Sequence, residues 1–273
     1  MGTYRIVCSD LDGTLLDSRG MISSENMRAI AQLTERGVFF VPSTGRAFSD
    51  LPAELRDHAA IRYFICSTGA SVVDKATGQT HLTTVSRPLL AQVFSVLDRY
   101  EIHLTVRQGG TCYVDRTYAN AEAFDYYNVS DPHQEIVNHY AVWRDDFPAF
   151  CQTVDDVEMV AAFFKDRDEW LAAQKEIESL GGLRVALAFD RCIEITNVDA
   201  GKGNALLWLA DHLGIDREDT LSVGDSDNDA TILQAAGLGL AVSNACPSLK
   251  DVADEIICSN DEHAISYILD TYC

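Results

Sequence analysis

The sequence predicts an α/β protein with a Rossmann-like parallel sheet, interrupted by an inserted α+β unit. Three observations lead to this fold class. Short buried strands alternate with helices in the first part of the chain, the same rhythm returns in the last part, and the middle has longer strands with glycine turns. Strands that alternate with helices favour a parallel sheet covered on both faces.

In the first part, apolar runs rich in strand formers predict buried strands at residues 4–9, 38–41 and 63–66. Ser23 or Ser24 is a suitable N-cap for a helix whose apolar positions recur every three or four residues. Gly37 is suited to the end of that helix, and residues 48–58 are predicted to be helical.

The middle part has a different pattern. Gln108-Gly109-Gly110, between Val106 and Tyr113, predicts a hairpin turn, and Gly181-Gly182 predicts another turn. Helices are expected at residues 88–100 and 167–180. An inserted domain is tolerated where the ends of the inserted chain lie close together.

In the last part, a helix is predicted to begin at Lys202 and to end at Gly214. The pattern then predicts strands at residues 220–223, 238–242 and 255–258, a helix at 228–236, and a C-terminal helix from Asp261. We therefore predict an α/β domain made of residues 1–82 and 193–273, and an inserted α+β unit made of residues 83–192.

Composition limits the possible partners and location. The net charge of −21 argues against nucleic acid, whose binding depends on clustered Lys and Arg. No apolar stretch reaches 18 residues, which argues against a membrane span, and residues 1–9 lack the pattern of a signal peptide.

Eight scattered cysteines without a Cys-x-x-Cys pair predict reduced thiols. We expect a cytoplasmic protein, either a monomer or a weak dimer.

The segment Ser9-Asp10-Leu11-Asp12-Gly13-Thr14 places two carboxylates directly after a predicted buried strand. Ligands of open α/β sheets lie beyond the carboxyl ends of the strands. Two acids at this spacing repel each other unless a cation lies between them or one holds a proton. Mg²⁺ is typically held by one or two carboxylates together with phosphate oxygens. If this segment is considered alone, the alternative to a metal site is a strand-to-loop junction whose two carboxylates are simply solvated.

Two further segments offer phosphate ligands. Ser43-Thr44-Gly45 follows another predicted strand and supplies hydroxyls and backbone N–H groups for a phosphate. Residues of these types are also common in turns that bind no ligand. Lys202 lies between Gly201 and Gly203 at a predicted helix start, where its ammonium could contact a phosphate. The spacing is not that of a P-loop, and lysines are common on surfaces.

The fourth segment, Gly224-Asp225-Ser226-Asp227-Asn228-Asp229, concentrates acids after another predicted strand. It partly matches the start of an EF-hand loop. However, the sixth position is Ala230 and the twelfth is Ala236, where such a loop requires Gly and Glu. A metal site at a strand end fits better. Because the fold gathers these distant segments at one edge of the sheet, they predict a shared phosphate and metal site.

Taken together, the four segments resemble the haloacid dehalogenase (HAD) superfamily, in particular its Cof-like type IIB branch. The Asp-x-Asp-x-Thr motif is matched by Asp10, Asp12 and Thr14, and Gly-Asp-x-x-x-Asp by Gly224, Asp225 and Asp229. The family's second motif is a Ser or Thr after a strand, which Thr44 matches, and its third is a Lys, which Lys202 matches. The insertion resembles the type IIB cap. One departure is Thr68-Gly69-Ala70, where the branch usually has Asn-Gly-Ala.

The resemblance implies a phosphoric monoester hydrolase that acts on a small phosphorylated substrate, with sugar phosphates as the expected class. Asp10 is the implied nucleophile, and Asp12 the implied acid and base. Asp229 would orient Lys202 or a metal-bound water. The implied Mg²⁺ ligands are Asp10, Asp12 and Asp225, and the implied phosphate ligands are Leu11, Ser43, Thr44, Lys202 and Asn228.

Two alternatives stay open at this point. A phosphomutase shares the core and a similar cap, and returns the phosphoryl group to a second hydroxyl. A non-enzymatic phospho-acceptor module also uses an aspartate cluster with Mg²⁺, but it is much shorter and has no cap.

Overall fold

The computed structural model describes residues 4–186 and 190–273, and these divide into two units. The core unit contains residues up to 45, residues 52–81 and residues 201–273. The second unit contains residues 46–51 and 82–200. Within the described residues, no helix combines the length and apolarity needed to cross a bilayer.

The strands of the described residues, in chain order, are β1 (Ile6–Asp10), β2 (Phe39–Ser43), β3 (Tyr63–Cys66), β4 (Ser71–Asp74), β5 (Gln79–Leu82), β6 (Ile102–Gln108), β7 (Thr111–Asp115), β8 (Val142–Arg144), β9 (Val157–Phe164), β10 (Leu183–Ala186), β11 (Cys192–Asn197), β12 (Thr220–Gly224), β13 (Leu238–Ala241) and β14 (Glu255–Ile256).

The α-helices of the same residues are α1 (Ser24–Glu35), α2 (Ala53–Arg56), α3 (Arg87–Leu97), α4 (Ala121–Tyr126), α5 (Asp131–His139), α6 (Phe147–Thr153), α7 (Arg167–Ser179), α8 (Lys202–Leu213), α9 (Ala230–Ala235), α10 (Pro247–Lys250) and α11 (Ala264–Tyr272).

The core unit is built on a sheet in the order β14-β13-β12-β1-β2-β3-β4-β5. β1 pairs in parallel with both β2 and β12, and β3 and β4 form an antiparallel pair. Every residue of β1 is buried, as expected for a central strand covered on both faces. The predicted α/β fold is confirmed, and the chain reverses its direction of winding at β1.

Local sequence signals explain the ends of the core helices. Ser23 caps α1 by accepting a hydrogen bond from the backbone N–H of Asn26. Gly214 ends α8 in the left-handed conformation, as predicted. The helix predicted at residues 48–58 was wrong in its extent. A single turn at Phe48–Asp50 and the short α2 flank Pro52, and Leu51 is extended because proline disfavours a helical residue before it.

The second unit is built on a sheet in the order β10-β11-β9-β6-β7-β8. The predicted hairpin is confirmed, since β6 and β7 are antiparallel with Val106 opposite Tyr113. One apolar cluster of the unit includes Val106 and Val160, together with residues of α3 and α7. Another cluster includes Phe163 and residues of α4 and α5. All eight cysteines are free thiols, as expected.

Candidate active site

Three strands of the core unit bring polar residues to one edge of the sheet. Asp10 of β1 lies opposite Ser43 of β2 in the parallel register. Ser9 lies opposite Val223 of β12, so Asp10 is level with Gly224. The carboxyl ends of these strands therefore meet where the winding reverses, which is the usual ligand position in open α/β sheets.

The chain turns sharply after Asp10. The segment Leu11–Leu15 is closed by a hydrogen bond of 2.9 Å from the N–H of Leu16 to the carbonyl of Leu11. Gly13 has a φ of +86°, and a Cβ atom there would lie 2.6 Å from Oδ2 of Asp225. Only glycine fits both restrictions. The turn leaves Asp12 exposed, whereas Asp10 is buried.

Lys202 joins the distant segments. Its Nζ donates hydrogen bonds of 2.6 Å to Oδ1 of Asp10 and of 2.6 Å to Oδ1 of Asp229. Its distance to Oδ1 of Asn228 is 3.4 Å. The ammonium lies at the first residue of α8 and is fully buried. Although burial lowers the pKa of Lys202, the carboxylates of Asp10 and Asp229 outweigh it and raise that pKa.

The loop after β12 organises the other acids. Oδ2 of Asp229 accepts the backbone N–H groups of Asp225 at 3.0 Å and Ser226 at 3.2 Å. Asp225 accepts a hydrogen bond of 3.0 Å from Oγ1 of Thr14. Both oxygens of Asp229 are thus engaged by the protein. We call Asp10, Lys202, Asp225 and Asp229 the Lys202 cluster.

The Lys202 cluster contains three carboxyl groups but only one ammonium group to neutralise them. Burial and then the Asp229 carboxylate raise the pKa of Asp10 well above its ordinary value, with Lys202 acting in the opposite direction. Burial and the same neighbour raise the pKa of Asp225 to about 6. The cluster therefore favours either a proton or an additional cation.

The donor set fits a hard divalent cation. Oxygen atoms of Asp10, Asp225 and Asp229 lie within 4.8 Å of one another. Carboxylate oxygens are the ligands that Mg²⁺ prefers. Because both oxygens of Asp229 already accept hydrogen bonds, Asp10 and Asp225 are the better available ligands.

The predicted site residues differ in what the structure shows of them. Asp10, Lys202, Asn228, Asp225 and Asp229 are brought together by direct contacts or close approach. The predicted phosphate ligands Leu11, Ser43 and Thr44 are buried at or after the ends of β1 and β2. The roles of all these residues, and that of Asp12, stay predictions.

The sequence analysis missed Asn244 as a residue that positions the turn after β1. Its Nδ2 donates a hydrogen bond of 2.8 Å to the carbonyl of Gly13, and its Oδ1 accepts the N–H of Asn260 at 2.9 Å. Asn260 in turn donates to the carbonyl of Leu16 at 2.9 Å. Asn244 lies 231 residues from Gly13, so no local spacing signal could have revealed this contact.

Carboxylates gathered beyond the strand ends of an open α/β sheet form a ligand site that suits a divalent cation together with a phosphate. Comparison with known proteins makes the class specific. The family model described as haloacid dehalogenase-like hydrolase matches residues 7–269. The chain therefore belongs to the haloacid dehalogenase-like hydrolases, as the four motifs predicted.

Individual relatives cover nearly the whole chain. Phosphatase YwpJ of Bacillus subtilis is 29% identical over 283 residues, covering 97% of this chain and 98% of its own. The B. subtilis protein named 5-amino-6-(5-phospho-D-ribitylamino)uracil phosphatase YwtE is 28% identical, with 97% of each chain covered. A solved haloacid dehalogenase-like hydrolase from B. subtilis has a TM-score of 0.82 at 27% identity, covering 98% of this chain and all of that one.

Proposed function

We propose that this enzyme hydrolyses small phosphate monoesters, including sugar phosphates, in a Mg²⁺-dependent reaction through an aspartyl-phosphate at Asp10. The observation that carries the proposal is the Lys202 cluster. An ammonium there contacts the carboxylate of Asp10, and one oxygen each of Asp225 and Asp229 lies within 4.8 Å of an oxygen of that carboxylate. Related proteins named as phosphatases support the same reaction class.

Asp10 would attack phosphorus with a carboxylate oxygen, and the bond from phosphorus to the ester oxygen would break. Asp12 would give a proton to the departing alkoxide, which leaves as an alcohol. Asp12 would then remove a proton from water, which attacks the phosphorus of the aspartyl-phosphate. This second step releases inorganic phosphate and restores Asp10.

Lys202 would hold Asp10 in place and bind a phosphoryl oxygen, with Leu11, Ser43, Thr44 and Asn228 as further phosphate ligands. Asp229 would keep Lys202 charged and oriented. Mg²⁺, held by Asp10, Asp12 and Asp225, would reduce the repulsion between the anionic nucleophile and the anionic phosphate.

The proposed substrate class is inferred from the name of a relative and from the net charge of the chain. The relative YwtE is named for a substrate that carries a phosphate on a ribityl chain, a phosphorylated polyol. A small hydroxylated phosphate ester is therefore the first class to test. The net charge of −21 makes a nucleic acid an unsuitable partner.

The test is a phosphate-release screen over sugar phosphates, phosphorylated polyols and nucleotides, with Mg²⁺ and then with a chelator. We expect multiple turnovers with at least one hydroxylated ester, and loss of turnover after chelation. Full turnover in a metal-stripped preparation would contradict the Mg²⁺ requirement. Transfer to a second sugar hydroxyl, activated by a bisphosphate, would indicate a mutase instead.

A further inference from the structure

The turn that follows β3 has a costly backbone conformation. Ser67, Thr68 and Gly69 have φ values of +50°, +54° and +87°. Glycine adopts such values readily, but a β-branched residue rarely does, because its side chain clashes with the backbone. Thr68, with a ψ of 35°, lies fully in the left-handed region. Glycine, which has no Cβ atom, would relieve this strain.

Neighbouring segments hold the turn in place. The N–H of Thr68 donates a hydrogen bond of 3.0 Å to the carbonyl of Thr44, and the N–H of Ala70 donates one of 3.1 Å to the carbonyl of Ser67. A Cβ atom on Gly69 would lie only 2.2 Å from the carbonyl carbon of Gly201. The turn is therefore fixed between Thr44, which directly follows β2, and Gly201, which precedes Lys202.

The side chain of Thr68 adds a second cost. It is 93% buried (7% exposed), and its Oγ1 has no hydrogen-bond partner among the described residues. Unpaired buried hydroxyls destabilise a folded protein and call for an explanation. This Oγ1 lies 3.4 Å from the position that a Cβ on Gly45 would occupy, so it faces the segment that contains the predicted phosphate ligand Thr44.

We propose that the hydroxyl of Thr68 forms a hydrogen bond with an oxygen of the bound phosphate ester and so helps to determine specificity. The inference rests on the proposed function, because it needs a phosphate ester beside Thr44 and Lys202. Backbone strain and an unpaired buried hydroxyl coincide at one residue between these two segments. Strain of this kind persists at sites where function requires it.

The first experiment separates the hydroxyl from the shape of the side chain. Thr68→Val keeps the β-branch and removes the hydroxyl, whereas Thr68→Ser keeps the hydroxyl. We expect Thr68→Val to lower kcat/KM for the best hydroxylated ester by about tenfold, in line with one lost hydrogen bond, and Thr68→Ser to stay within about threefold of the wild type. Thr68→Val should melt no lower than the wild type, because it loses an unpaired polar atom.

The second experiment relieves the strain. Thr68→Gly removes both the β-branch and the hydroxyl, so it should raise Tm by about 2–4 °C and lower kcat/KM as much as Thr68→Val does. A merely structural role would move stability and activity in the same direction. If Thr68→Val and Thr68→Gly both keep the wild-type kcat/KM, the proposal is overturned.

Measurements with inorganic phosphate and p-nitrophenyl phosphate show whether Thr68 contacts an oxygen of the phosphoryl group or one of the organic part. If Thr68 binds the phosphoryl group, Thr68→Val should raise the calorimetric Kd of inorganic phosphate, measured with Mg²⁺, by about the same tenfold factor. If it binds the organic part, that Kd and the KM of p-nitrophenyl phosphate stay unchanged while the KM of the hydroxylated ester rises. A wild type that neither binds phosphate nor hydrolyses any ester would instead overturn the proposed function, and this inference with it.

Discussion

The Lys202 cluster in the core unit and His103 in the second unit both bury polar groups, but they are stabilised differently. In the cluster, Lys202 forms hydrogen bonds of 2.6 Å with both Asp10 and Asp229. Neither ring nitrogen of His103 has a hydrogen-bond partner among the described residues, and its ring packs near Phe124, Tyr127 and Phe163. Among these buried ionisable residues, converging charges therefore distinguish the candidate active site from the packing role of His103.

The largest expected effect of any substitution is that of Asp10→Asn, which tests the chemistry of the cluster. Loss of the attacking carboxylate should reduce turnover by more than about a thousandfold. The amide removes a carboxylate with a raised pKa, so the melting temperature should not fall. Phosphate release and thermal unfolding, with Asp227→Asn as a control on an exposed nearby acid, check the prediction. Near-normal hydrolysis by the Asp10 variant would disprove the nucleophile assignment.

Lys202→Met comes next, because it breaks the ion pairs of the cluster. The buried carboxylates of Asp10 and Asp229 would lose their shared ammonium, which should cost about 3–5 kcal/mol of unfolding free energy. Turnover should fall by about a hundredfold or more. Urea denaturation gives the first quantity and phosphate release the second.

The double variant Lys202→Met/Asp229→Asn is the matched comparison. It removes one of the two stranded carboxylates, so it should recover part of the lost stability without recovering activity. Equal destabilisation in the single and double variants would show that the charge pairing contributes little.

Asn244→Asp tests whether the turn after β1 needs the hydrogen bond that Asn244 donates to the carbonyl of Gly13. The substitution keeps the acceptor for the N–H of Asn260 and replaces the donor to Gly13 with a carboxylate oxygen. We expect kcat to fall about tenfold with KM nearly unchanged, because the turn carries Asp12. Ser243→Ala, at the adjacent exposed residue, is the control. A change confined to KM would argue against a positioning role.

The pH dependence of stability in the metal-free protein tests whether the Lys202 cluster has more carboxylates than its ammonium can neutralise. Asp225 is the residue to vary. Its pKa in the folded state is raised to about 6, so the folded state holds a proton that the unfolded state releases nearer pH 4. The stability from this proton is present at low pH and is lost as the pH rises through 6.

In chelator, Asp225→Asn should therefore gain melting temperature relative to the wild type as the pH is raised from 5 to 7. Asp211→Asn, at an exposed acid of α8, should show no such trend. Added Mg²⁺ should stabilise the wild type more than Asp225→Asn at pH 7, because the cation then replaces the proton. A pH-independent difference between the two proteins would contradict this account.

The sequence predicts the cluster better than it predicts its surroundings. Asp10 and Asp225 are identifiable because each follows a buried strand, and a parallel sheet brings the ends of such strands to one edge. The left-handed conformation of Thr68 is not identifiable, since threonine is not a residue that signals it. The role of Asn244 depends on a contact across 231 residues, which the pattern of a single sequence does not show.

Local propensity alone also misled one prediction. Residues 48–58 have helix-compatible spacing, but Pro52 lacks a backbone N–H and keeps Leu51 extended, so the helix is split. In the second unit, the sequence predicts the β6–β7 hairpin from its glycines but does not show which face of the sheet buries His103.

His103→Phe should have the smallest effect on activity and completes the comparison of the two regions. Burial lowers the pKa of His103 to about 4, so the ring is neutral at pH 7 and packs as an aromatic group. Replacing two unpaired nitrogens with carbon should leave kcat and KM unchanged and keep the unfolding free energy at pH 7 within about 1 kcal/mol of the wild type.

The difference should appear in acid. The unfolded chain binds a proton at this histidine below about pH 6.5, whereas the folded chain resists it down to about pH 4, so the wild type loses stability as the pH falls through this window. His103→Phe removes that loss and should gain about 2 kcal/mol over the wild type at pH 5. His139→Gln, at an exposed histidine of α5, should show no such gain. If His103→Phe instead abolished turnover while melting normally, His103 would belong with the charged cluster as a functional group, and the distinction between the two regions would fail.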